Sequence, residues 1–221
     1  MSQALYVFDM DETLVNGDCA MLWNAFMVNK GIVTSPDFLT QDKAMMALYA
    51  QGKMDMEEYL AFTLAPISTI PSHEIDALVE EFVSDEVMPV VFPEALNLVN
   101  KLKADNVPLL IISATVTFIV KKVAQKLGIK HAIGIDLCME NGCYSSKVSG
   151  VASYREGKIQ RLKAWVADND IHFDDIHFYT DSINDLPLCL YADHTYLINP
   201  CAQLMEQAKQ HQDWQIYRWG H

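Results

Sequence analysis

Two aspartates, Asp9 and Asp11, follow a short apolar run that begins at Ala4 and ends at Phe8. With its β-branched and aromatic residues and almost nothing polar, the run reads as a buried parallel strand. In a doubly wound sheet, ligands bind just beyond the carboxyl ends of the strands, which is where this pair would lie. Carboxylates are hard oxygen donors suited to Mg²⁺, and one held beside that ion can also act as a nucleophile. Taken alone, the segment would equally fit a strand running into an Asx-type turn. Three later stretches bear on the choice. Ser113 closes the apolar run 107–112, Lys158 sits in Arg155-Glu156-Gly157-Lys158, and Asp181 closes the run 176–180 and leads into Ser182-Ile183-Asn184-Asp185.

Together these segments resemble the motif set of the haloacid dehalogenase (HAD) superfamily of aspartate-nucleophile phosphotransferases, over essentially the whole chain. Residues 8–18 with Trp23, then Tyr154 to Lys158 and Tyr179 to Pro187, narrow the likeness to the phosphoserine-phosphatase-like subfamily, IB. The resemblance implies Mg²⁺ as cofactor and a small phosphate ester as substrate. It makes Asp9 the nucleophile and a metal ligand. Asp11 becomes the general acid and base, lending its backbone carbonyl to the metal. Two residues apart on an extended strand, the two side chains would share a face. Asp181 would complete the metal shell, with Asn184 and Asp185 one layer behind it. Ser113 and the backbone N–H groups that follow, beginning at Ala114, would hold phosphoryl oxygens at a helix N-terminus. Lys158 would neutralise Asp9 and the charge of the transition state.

Asp18 lies nine residues after Asp9, where phosphoserine phosphatases carry an acidic residue that recognises the substrate amine. The segment 15–90 contains no arginine to bind a serine carboxylate. That departure weakens phosphoserine and favours other amino-alcohol phosphates, such as histidinol phosphate. Glu12 is a second departure, since the family more often has Gly, Asn or Ser there.

The elements that must position these residues alternate in type. After the first strand, residues 15–90 read as helices: one from Asp18 closing at Gly31, one entered at Ser35-Pro36-Asp37 with Pro36 at its first position, one over 54–64, and one from a capping Ser72 to Val83. From Pro93 come a helix, a strand over 107–112, a helix from Thr115, a strand over 131–139 and an Asn141-Gly142 hairpin turn. A helix from Lys158, a strand over 175–180, a helix over 186–191 and a strand over 195–198 complete the pattern. This predicts an α/β fold, a doubly wound and mostly parallel sheet. Residues 1–14 and 91–221 would form the core, and the resemblance makes the helical insertion 15–90 a cap that selects substrate and excludes water.

Composition sets the outer limits. A net charge of −13 over 221 residues offers no basic surface for nucleic acid. No apolar run approaches the roughly 20 residues of a membrane span. Five scattered cysteines read as small apolar residues in a reducing compartment, so the cytoplasm is expected. Two other readings stay on the page. A metal-independent haloalkanoate dehalogenase would have no use for Asp11 and the Asp181/Asp185 pair. A signalling receiver or idle phosphate-binding module would lack the helical insertion or one of the motif residues.

Overall fold

A computed structural model of the chain describes residues 4–169 and 173–220. Its centre is a six-stranded parallel sheet in the order β3-β2-β1-β6-β7-β8. The strands are β1 (Ala4–Phe8), β2 (Leu109–Val116), β3 (His131–Ile135), β6 (Asp175–Thr180), β7 (His194–Ile198) and β8 (Gln215–Tyr217). A separate hairpin of β4 (Leu137–Glu140) and β5 (Cys143–Val148) turns at Asn141-Gly142, both with positive φ. Strand order reverses between β1 and β6, which leaves a crevice at their carboxyl ends.

Alternation along β1 sends Leu5 and Val7 into one apolar layer and Phe8 into the other. On the first side, Leu162, Leu188 and Leu204 come from α7 (Glu156–Asp168), α8 (Leu186–Tyr191) and α9 (Ala202–Ala208). On the second lie α5 (Pro93–Ala104) and α6 (Thr117–Leu127), continuous with the helical segment between β1 and α5. That segment holds α1 (Cys19–Asn29), α2 (Phe38–Ala50), α3 (Met56–Leu64) and α4 (Ser72–Phe82). The hairpin leans on it, with the Ser72 N–H donating to the Gly142 carbonyl at 2.9 Å.

Several boundaries differ from the sequence reading. Helix α2 starts at Phe38, two residues after Pro36, with Asp37 as an N-cap whose side chain makes no cap bond. Ser72 is the first helical residue and Pro71 the cap position, because the Ser72 N–H is used by the hairpin. The apolar run 131–139 breaks at Asp136 into strands of different sheets. Helix α7 begins at Glu156, and α9 and β8 add a final αβ unit that the polar C-terminal sequence did not announce.

The largest correction concerns Ser113. It does not lie at a helix N-terminus, because β2 continues to Val116 and α6 starts at Thr117. Register passes from Ile112↔Ile133 to Val116↔Ile135, so β2 sets four residues against two. Residues 113–115 therefore bulge, as strands often do beside active sites. Gly134 permits it: a Cβ there would lie 2.7 Å from the Thr115 carbonyl and 2.8 Å from Thr117 Cα.

Candidate active site

The adjacent strands β2, β1 and β6 carry Ser113, Asp9 and Asp181 to one edge of the sheet. Asp9 continues the ladder one residue past β1, its N–H donating to the Tyr179 carbonyl at 2.9 Å. It is buried, and so is Lys158, which α7 delivers from its first turn. Lys158 Nζ donates to Asp9 Oδ1 at 2.8 Å and pairs with Asp185 Oδ1 at 2.7 Å. Thr180 Oγ1 donates to Asp185 Oδ2 at 2.7 Å, the oxygen that Lys158 Nζ also reaches at 2.8 Å. A lysine with its head 2% exposed between two carboxylates answers the objection that a cation opposes the start of a helix. Burial alone would lower its pKa, but Asp185 and Asp9 outweigh that and raise it.

Asp11 stands beside this triad with both oxygens occupied. Oδ1 accepts from the Cys19 N–H at 2.7 Å, and Oδ2 from Ser113 Oγ at 3.0 Å and Thr115 Oγ1 at 2.8 Å. The bulge thus turns two hydroxyls onto one carboxylate. Thr115, two residues after Ser113, was missed by the sequence reading, although period-2 spacing from Ser113 was available as a signal. Ser153, also missed, donates to the Ser113 carbonyl at 2.5 Å and ties the bulge to the approach to α7. Ala114, between the two hydroxyl residues, is partly exposed beside them.

Asp181 follows β6 and accepts from Thr13 Oγ1 at 3.3 Å. Burial first, then the charges of Asp9, Asp185 and Glu12, push its pKa well up. Burial likewise raises Asp9 to about 7, with Lys158 opposing and Asp185 and Asp11 adding to it. Lys158 answers Asp9 and Asp185, while Asp11 and Asp181 add negative charge beside Asp9 and Glu12 adds it beside Asp181, and this deficit of positive charge suits a divalent cation. Among the described residues no three Asp, Glu, His or Cys side chains converge as a ready chelate. Mg²⁺ does not need one, since it takes one or two carboxylates and fills the rest with water and phosphate.

Two expected residues have partners that the sequence reading did not name. The Asn184 side chain is committed to the helical segment: Nδ2 donates to the Tyr49 carbonyl at 3.0 Å, and Oδ1 accepts from Tyr154 Oη at 3.2 Å. Asp185, expected one layer behind the metal, is bonded to Lys158. Asp18 caps α1, accepting from the Met21 N–H at 2.9 Å, and burial followed by the Asp11 charge raises it to about 8. The helical segment adds Asp42, buried and accepting from Asn24 and Tyr59, which no motif had marked. Glu12 is solvent-exposed with φ 54°, the left-handed region, which explains why Gly or Asn suits this position.

Comparison with known proteins agrees with this geometry. The family model described as haloacid dehalogenase-like hydrolase matches residues 6–189. A histidinol-phosphatase of Neisseria meningitidis serogroup C is 32% identical over 210 residues, covering 93% of this chain and 95% of that one. A phosphoserine phosphatase of Lactococcus lactis is 25% identical over 187 residues, 85% of this chain and 79% of the other. The crystal structure of a protein of unknown function from Bordetella pertussis superposes with a TM-score of 0.88 at 28% identity, over 98% of both chains.

Proposed function

The chain belongs to the haloacid dehalogenase-like hydrolases, and from that membership we propose that it is a Mg²⁺-dependent phosphomonoesterase acting through a phospho-aspartate on Asp9. The observation that carries this reading is the buried Lys158 bonded to both Asp9 and Asp185, with Asp11 oriented beside them. Residues 15–90 act as the cap. Asp9 and Asp181, with the Asp11 carbonyl, would hold Mg²⁺, which supplies charge neutralisation between carboxylate and phosphate. Lys158 lowers the charge on Asp9 from the other side.

In the first step an Asp9 oxygen attacks phosphorus and the ester P–O bond breaks. Asp11 donates its proton to the departing alkoxide. In the second step Asp11 takes a proton from water, which attacks the same phosphorus and releases inorganic phosphate from Asp9. The Ser113 hydroxyl, held on Asp11 here, would turn to a phosphoryl oxygen and open one lone pair of Asp11 Oδ2 to the proton, with Thr115 still holding the other. A dehalogenase working on carbon would leave Asp181 without a task.

For the substrate we favour an amino-alcohol phosphate, histidinol phosphate first. Asp18 opens the cap at the start of α1, and an incoming ammonium would favour the ionised carboxylate that burial and Asp11 disfavour in its absence. No arginine between 15 and 90 offers itself to a carboxylate, and Lys30 is paired with Glu81. The likeness to the Neisseria enzyme points the same way. A chain with net charge −13 offers no basic surface to nucleic acid, and the reducing cytoplasm suits its five free cysteines.

Phosphate release should be measured with and without Mg²⁺ over histidinol phosphate, phosphoserine, sugar phosphates, nucleotides and an aryl phosphate. Turnover should require Mg²⁺ and fall by at least about 10³-fold in Asp9→Asn, the range seen when a nucleophile is removed. No turnover of any ester by the unmodified chain would overturn the reading.

A further inference from the structure

Arg155 holds φ 51° and ψ −124°, a conformation that glycine adopts freely and other residues rarely do. A strained residue persists where its side chain does something a glycine could not. Arg155 Nε points to Asn184 Oδ1 at 3.5 Å, and its guanidinium lies over the Tyr154 ring at 5.0 Å. Its far end packs on Gly52, where a Cβ would come within 2.9 Å of Nη2.

These contacts meet the C-terminus of α2. The Tyr49 carbonyl there takes the Gly52 N–H at 2.8 Å and Asn184 Nδ2 at 3.0 Å, and the Tyr49 ring stacks on Tyr154 at 5.7 Å. Helix ends leave carbonyls without intrahelical partners and carry partial negative charge, so an amide donor and a guanidinium fit this end. A cleft of about 520 Å³ runs along the same seam, bordered by Gln51, Gly52, Arg155 and Asn184. At the end of α2 the seam is held by these few side chains, while the apolar layer joins the helical segment to the core through α1, α4, α5 and α6. On the core side, Arg155 is three residues before Lys158, and Asn184 is next to Asp185. The two residues that grip the helical segment thus share short backbone stretches with the buried ion pair.

We propose that Arg155, with Tyr154 and Asn184, is a positioning group that latches α2 over the catalytic carboxylates and couples cap closure to the Lys158–Asp185 pair. This rests on the reading of 15–90 as a cap. The contacts of Arg155 are with Asn184, Tyr154 and Gly52, and it acts through Asn184 and Tyr49.

The test uses the whole chain and two readouts. Amide hydrogen exchange is followed at Gly52 and Lys53, which close the end of α2, and at the strands β1 and β6. Arg155→Gly relaxes the backbone and removes the side chain, and Tyr154→Phe removes one hydroxyl. Each should speed exchange at the α2 end about fivefold, the worth of one hydrogen bond, with β1 and β6 unchanged. KM should rise by a similar factor, since substrate enters the open cap and a closing step made five times less favourable loses that factor of affinity, while kcat stays within about twofold. Arg155→Lys, which keeps a cation over Tyr154, should recover part of both effects. Unchanged exchange and KM in Arg155→Gly and Tyr154→Phe would overturn the latch, as would exchange that speeds equally in β1 and β6. An unmodified chain inactive on every ester would sink the phosphatase reading alone, because exchange still reads the latch.

Discussion

Glu12 shows how one residue can stand at odds with its backbone. Its φ of 54° costs an L side chain about 1–2 kcal/mol, and it adds a negative charge that Asp181 feels. Surrounding protein first, and Asp11 second, raise its own carboxyl. Glu12→Gly should therefore raise stability by up to about 1 kcal/mol in urea unfolding, the greater freedom of the unfolded glycine offsetting part of the relief. The same change should raise the Mg²⁺ concentration for half activity about two- to threefold, a modest effect because the side chain is solvent-exposed. The sequence marked Glu12 as unusual but could not give its φ, which is set by the turn that brings Asp11 back toward β2.

At the scale of elements, the bulge in β2 and the glycine facing it act together. Gly134→Ala would drive a Cβ into the backbone of Thr115 and Thr117, which cannot yield as a flexible side chain would. Displacement should pull the Ser113 and Thr115 hydroxyls from Asp11. Stability should fall by about 1–3 kcal/mol, and kcat by about a hundredfold, the scale of a 1 Å misplacement. Wild-type kcat in Gly134→Ala would show that the bulge does not position Asp11.

A second element-level feature is the aromatic row across β1, β6 and β7. His177 stacks between Tyr6 at 4.2 Å and His194 at 4.4 Å, and its Nδ1 meets Tyr196 Oη at 2.9 Å. Burial, then the neighbouring His194, holds its pKa below the ordinary 6.5. The unfolded chain therefore binds this proton more readily than the folded one, and the stability it contributes is full above 6.5 and lost as pH falls below it. His177→Phe keeps the stacking and should flatten the decline of melting temperature between about pH 7 and 5.

Over the whole molecule, the net charge of −13 repels a phosphate at long range, so capture depends on the few charges inside the crevice. There Asp9 and Asp185 share one buried cation, Lys158, and Asp181 lies close enough to be raised by both. Mg²⁺ bound only by the folded state should stabilise it by about 2.7 kcal/mol at a hundred times its dissociation constant, or roughly 5–10 °C in melting temperature for a chain of this size. Melting with EDTA against saturating Mg²⁺ checks this, and an unchanged transition would argue against a metal at Asp9 and Asp181.

The sequence by itself determined the strand that delivers Asp9, the alternation of strands and helices, and the position of every motif residue along the chain. Apolar runs and turn residues are local signals, and a parallel sheet whose strands end on polar residues leaves its site at those ends. Only the tertiary structure decided what each side chain does. The four-against-two register that turns Ser113 and Thr115 onto Asp11 depends on β3. The binding of Asn184 to α2, and of Asp185 to Lys158, joins segments 135 and 27 residues apart. Such pairings are set by packing between elements, where a hydrogen bond forms with whatever the fold brings within 3 Å, and periodicity along one strand holds no record of it.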